Sequence, residues 1–162
     1  MRFRYDHDVD TVFALINDPA VFIERCQAFG ETNVTCDATT SGNRTTMKIS
    51  RTVRRELPGP LAKIAKPENT IRADGDWVDE GKGAAKRGSY TATVDGSPIP
   101  ITIKATYTLT PSGAGACEYS ITFDIKAKHM LLGKIAEKFV RDQTEAAVPD
   151  EVEWNRKRLA AG

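Results

Sequence analysis

The chain has 162 residues, with 23 Lys and Arg against 22 Asp and Glu for a formal net charge of +1. That length suits one domain, able to bury roughly 70% of its unfolded surface without disulfide or metal staples. A hydrophobic share of 40% and a charged share of 28% exclude a disordered chain, and the missing basic excess argues against a nucleic-acid partner.

Residues 2 to 6 alternate, with Phe3 and Tyr5 on one side and Arg2 and Arg4 on the other, as in a half-buried strand. Asp8 or Asp10 then caps a helix with Val12, Phe13, Leu15 and Ile16 at its apolar positions. Asn17-Asp18-Pro19 stops that helix and starts another, which carries Val21, Phe22, Cys26 and Phe29 and ends at Gly30.

The period then changes from helical to alternating. Val34, Cys36 and Ala38 share one strand face, and Met47, Ile49, Arg51 and Val53 share a face of the next. Leu57-Pro58-Gly59-Pro60 breaks the pattern, and Leu61 to Ala65 has room for one or two helical turns, as a lid or a simple crossover. Thr70 to Glu80 resumes as a strand with Ile71 and Trp77, where Gly75 suggests a bulge. Tyr90, Ala92 and Val94 mark a further strand, closed by a hairpin at Asp95-Gly96. The clearest alternation follows: Ile101, Ile103, Ala105, Tyr107 and Leu109, then Tyr119, Ile121, Phe123 and Ile125.

Residues 129 to 159 are helical in composition, and Leu131, Leu132, Ile135, Ala136, Phe139 and Val140 form an apolar stripe. Pro149 is expected to kink or interrupt this helix, or to begin a second one. Each strand has one apolar face to cover, and only this helix is long enough to cover it. The expected fold is therefore α+β, a curved antiparallel sheet of about seven strands wrapped around a long C-terminal helix. Where the side chains of sheet and helix fail to meet, a space opens that suits an apolar ligand.

This order resembles the helix-grip superfamily of START lipid-transfer domains, pollen allergens and polyketide cyclases. More narrowly, the chain is similar to an uncharacterised bacterial family, a domain of unknown function within that superfamily. The resemblance is carried by Tyr5 to Phe13, by Asn17 to Phe22, by Leu57-Pro58-Gly59 and by Leu131 to Glu137. It covers essentially the whole chain, read as a single ligand-binding domain of residues 1–162. Two departures stand out: Lys128-His129-Met130 replaces a common proline before the last helix, and Pro149 falls where relatives keep the helix unbroken. The resemblance implies binding or transport of a hydrophobic or amphipathic molecule, lipid or polyketide-like. It also leaves open a cyclase- or dehydratase-like enzyme or a ligand-free interaction module.

Candidate ligand-facing residues follow from strand phase and from the helix stripe: Arg51, Trp77, Tyr90, Tyr107, Tyr119, Phe123, Leu131, Ile135 and Phe139. Arg51, on a face otherwise apolar, is expected either to pair with a ligand carboxylate or phosphate, or to sit at a bulge or the sheet rim. The tyrosines offer flat apolar surface plus a hydroxyl, and core packing explains them equally well. In the enzyme reading one or two of Arg51, Tyr107 and His129 move protons. The two histidines, His7 and His129, otherwise read as exposed or structural.

No cofactor is expected, since Gly113-Ala114-Gly115 joins two strands rather than opening a helix. Cys26, Cys36 and Cys117 are odd in number and widely spaced, which argues against both disulfides and a zinc site. The acidic run Asp74, Asp76, Asp79 and Glu80 lacks calcium-loop spacing and reads as a solvated strand end. The first residues lack the apolar core of a signal peptide, and no stretch of about 18 apolar residues occurs, so no integral membrane segment and a cytoplasmic location are expected.

Overall fold

The structure, a computed structural model, describes residues Met1 to Gly162. Strand β1 (Arg2–Tyr5) leads into helices α1 (Val9–Ile16) and α2 (Pro19–Ala28). Asp8 caps α1 by accepting the Thr11 N–H, and Asp18 caps α2 by accepting that of Ala20, with Pro19 in the first turn. Strands β2 (Thr32–Ser41) and β3 (Arg44–Arg54) follow, then the single turn α3 (Gly59–Ala62). Four long strands, β4 (Glu68–Asp79), β5 (Lys86–Asp95), β6 (Ile101–Pro111) and β7 (Cys117–Ala127), precede helix α4 (Gly133–Ala160).

All seven strands form one antiparallel sheet in the order β1-β7-β6-β5-β4-β3-β2. Each long strand pairs with its sequence neighbour, and β1 closes the far edge by pairing with β7, Phe3 opposite Tyr119. One inward row crosses five strands in register: Met47, Gly75, Tyr90, Ala105 and Phe123. The parallel row beside it is Ile49, Ala73, Ala92, Ile103 and Ile125.

The bulge expected at Gly75 is absent, for Gly75 pairs in register with Met47 on one side and Tyr90 on the other. Its missing side chain leaves room for aromatic neighbours instead, and the one register shift falls between Thr32 and Thr35. Asn33 adopts a φ of 50° there, a left-handed conformation that Asn tolerates better than most residues.

Helix α4 departs from expectation at both ends. It starts at Gly133, so Met130 and Leu131 belong to the entry turn and point outward, 99% and 81% exposed. It then runs unbroken past Pro149 to Ala160. Proline removes a backbone donor within a helix, but tertiary packing holds the segment beyond it. Val148 and Val152 pack into the same core as Tyr5, Val9 and Val12. Asn155, 4% exposed, donates through Nδ2 to the Tyr5 hydroxyl at 3.2 Å.

The apolar interior falls into three separate groups: one around Tyr5, Trp77 and Leu109, one around Ile49, Ala92 and Ile125, and a small one joining Leu61 and Ile99 to Ala136. No helix is long and apolar enough to cross a membrane.

Candidate functional site

Between the sheet and α4 lies a cavity of about 570 Å³, and 30 of its 42 lining residues are hydrophobic, so its wall is mainly apolar. That volume falls within the range of small-molecule sites. Residues from all three apolar groups line it, so it occupies the space where they fail to merge. The cause is side-chain size. Helix α4 presents Ala136, Phe139, Val140, Gln143, Thr144, Ala147, Val148, Glu151 and Val152 to the cavity at three- and four-residue spacing. Its middle is therefore small or polar where a filled core would place Leu or Phe. Opposite, the sheet contributes the small side chain of Ala105.

Of the residues singled out by strand phase, Arg51, Trp77, Tyr90, Tyr107, Tyr119 and Phe123 line this cavity, and Phe139 joins them from α4. Leu131 and Ile135 do not. Leu131 precedes the helix, and Ile135 lies one residue off the inward face, which leaves it 38% exposed. His129 is also elsewhere: its Nδ1 accepts the backbone N–H groups of Leu131 and Leu132 at 3.2 and 2.9 Å. Tyr107 donates its hydroxyl to the Ser89 carbonyl at 2.8 Å. Arg51, Tyr107 and His129 thus do not converge on one point.

Arg51 does not stand at a bulge. It sits within an unbroken register opposite Ile71, and its Nη1 donates to Glu31 Oε1 at 2.6 Å. Glu31 is 7% exposed, immediately before β2. The partner of Arg51 is therefore supplied by the protein. Burial works against the Arg51 charge, but the Glu31 carboxylate, by its charge and its hydrogen bond, helps move the guanidinium further up its range. Arg55 Nη2 approaches the same Glu31 oxygen at 3.9 Å from the rim, where its side chain is 37% exposed.

A second ion pair lines the cavity nearby. Arg25, from α2, donates to Asn155 Oδ1 at 3.1 Å and pairs with Glu151 at 3.5 Å. Burial raises the Tyr90 phenol against the opposing pull of Arg51, and raises that of Tyr119, so both stay protonated O–H groups. Burial also pushes the Cys26 thiol up to about 12, with Glu31 adding to the shift. That thiol is not an active nucleophile.

Glu31, Arg25, Glu151 and Asn155 escaped the sequence reading. The last two lie on the helix face continuing the apolar stripe past Val140, where an apolar search stops finding it. The one available signal for Glu31 was the need of an inward Arg51 for a carboxylate.

Comparison with solved structures agrees with this architecture. A conserved protein from Geobacillus kaustophilus superposes with a TM-score of 0.59 at 13% identity, covering 99% of this chain and 93% of that one. Protein CV1439 from Chromobacterium violaceum gives 0.52 at 14% identity, covering 98% and 95%. At such identities the likeness is one of fold. No curated protein matches the sequence. The fold, with its seven-stranded antiparallel sheet and long C-terminal helix, accompanies a match between residues 1–159 and the family described as protein of unknown function (DUF2505), and the chain belongs to that family.

Proposed function

We propose that this chain binds, and in that way carries, a hydrophobic or amphipathic small molecule in the cavity between sheet and α4, as a single START-like domain of residues 1–162. The observation that supports this is an apolar-walled space of about 570 Å³ at the centre of the fold. Helix α4 faces this space with the small side chains of Thr144 and Ala147, which leave it open. Trp77, Tyr90, Tyr107, Tyr119, Phe123 and Phe139 supply flat apolar wall, and Arg51 with Glu31 supplies a polar end. A mostly apolar pocket with a few placed polar groups is the usual form of such a site.

The test is native mass spectrometry of freshly purified protein beside the same sample denatured. A defined extra mass that denaturation releases is the expected result, and its identity gives the compound class. A clean protein mass that gains nothing after incubation with lipid extracts would sink the reading.

A further inference from the structure

The less exposed charges of the cavity wall are paired within the protein, while Lys66 and Asp150 line it as exposed residues outside any ion pair. Arg51 is bound to Glu31 at 2.6 Å and Arg25 to Glu151 at 3.5 Å, so the inner polar end holds two cations and two anions. Glu31 cannot be swung aside cheaply: its side chain is 6% exposed, and its Oε2, like the Nε of Arg51, is buried without a hydrogen-bond partner. A ligand carboxylate or phosphate arriving at Arg51 would meet a guanidinium already neutralised, beside the Glu31 anion. It would lose its hydration for the one unpartnered Arg51 Nε–H, in the field of the free Glu31 Oε2, with Lys66 only at an exposed position. Arg55 adds a positive charge only at the rim, where water screens it.

Besides the Arg51 Nε–H, the cavity wall offers neutral donors. Of the four tyrosines, Tyr5 accepts from Asn155 and Tyr107 donates to Ser89. Tyr119 lines the cavity without such a bond, and Tyr90 lines it beside the Arg51 guanidinium. A phenol O–H at the end of an apolar chamber suits a carbonyl, ether or hydroxyl oxygen.

We infer that the cavity selects an uncharged apolar ligand bearing an oxygen acceptor that reaches the Tyr119 hydroxyl, and that it disfavours the carboxylate of the same chain. This rests on the reading of the cavity as a ligand site, and the experiment separates the two.

The assay is displacement of the neutral fluorophore N-phenyl-1-naphthylamine at neutral pH by 2-decanone, by 1-decanol and by decanoate. In the native protein the ketone and alcohol are expected to compete at least about tenfold better than the carboxylate. In Glu31→Gln, which frees Arg51, decanoate is expected to gain about tenfold relative to the ketone. Tyr119→Phe is a conservative change that keeps the fold. It is expected to weaken the ketone about fivefold relative to the fluorophore's own affinity for the same variant. Decanoate equal to the ketone in the native protein, or a Tyr119→Phe variant that binds the ketone as well as the native chain does, overturns the inference while leaving the cavity reading in place. A fluorophore that does not bind at all overturns the cavity reading itself.

Discussion

The ring of Tyr107 lies against that of Trp77 with centroids 4.4 Å apart and planes tilted by 37°, and Gly88 stands between them on the intervening strand. A methyl group at Gly88 would fall 2.1 Å from the Tyr107 ring and 2.5 Å from the Asp76 carbonyl oxygen. Strand pairing prevents the Asp76 backbone from yielding, so the ring pair depends on the absence of a side chain at Gly88. Gly88→Ala is expected to cost about 3 kcal/mol. At Gly75 the added methyl would meet the Tyr107 hydroxyl at 3.5 Å, an ordinary contact. Gly75→Ala is expected to stay within about 1 kcal/mol of the native chain. Urea unfolding of both variants checks the contrast, and equal losses would refute it.

Lys86 is fully enclosed, with its ammonium on Asp79 at 2.5 Å, the Gly81 carbonyl at 2.6 Å and Asp10 at 2.8 Å. It ties α1 to the β4–β5 hairpin. Lys86→Met leaves two carboxylates that are 38% and 39% exposed, so water recovers part of the loss. The expected destabilisation is about 2 kcal/mol, below that of a fully buried pair.

The same group has a defined pH window. Hydrogen bonds from Lys86 hold Asp10 and Asp79 below the usual carboxylate range. Their contribution is therefore complete above the unfolded value of about 4 and lost as pH falls below it. Burial opposes the Lys86 charge, but its bonds to Asp10 and Asp79 win and raise it. That contribution is complete below about 10.4 and lost as pH rises beyond. Lys86→Met is thus expected to lower stability evenly across neutral pH and to flatten the acid limb, which a urea series against pH reads directly.

Burial raises all three enclosed thiols, Cys26 to about 12, Cys117 to about 11, and Cys36 in the same direction. Unfolded, each ionises near 8.5, so the folded chain binds more protons above that pH and loses stability as pH rises. The expected slope is about 1.4 kcal/mol per pH unit for each thiol above about pH 8.5. Replacing Cys26 and Cys117 by alanine should remove their share of that slope and leave the share of Cys36, whatever it does to stability at neutral pH. An unchanged alkaline limb in the double variant would contradict the account.

Pro149 lies inside α4 and has no N–H to give the Glu145 carbonyl. Pro149→Ala restores a donor at the cost of a freer unfolded chain, and a net gain of about 1 kcal/mol is expected. A lower melting temperature in the variant would show that the proline bends the helix to fit the sheet.

The order of elements was legible in the sequence because it depends on local periodicity. Phe3 and Tyr5 alternate, Asp18-Pro19 opens a helix, and Ile101 to Leu109 repeats every second residue, each within a few positions. A sheet with one apolar face then requires a cover, and only one segment was long enough to provide it. Tertiary structure decided what local patterns do not encode. Leu131 and Ile135 fit the apolar stripe, yet the helix begins at Gly133 and its inward face is set by packing on β7 and α3. Pro149 is tolerated because Val152 and Asn155 are anchored on the Tyr5 side of the core. Arg51 found its partner in Glu31, 20 positions earlier and with no motif linking them. A buried charge is satisfied by whichever group the fold brings within reach, and that proximity exists only after the sheet has closed on the helix.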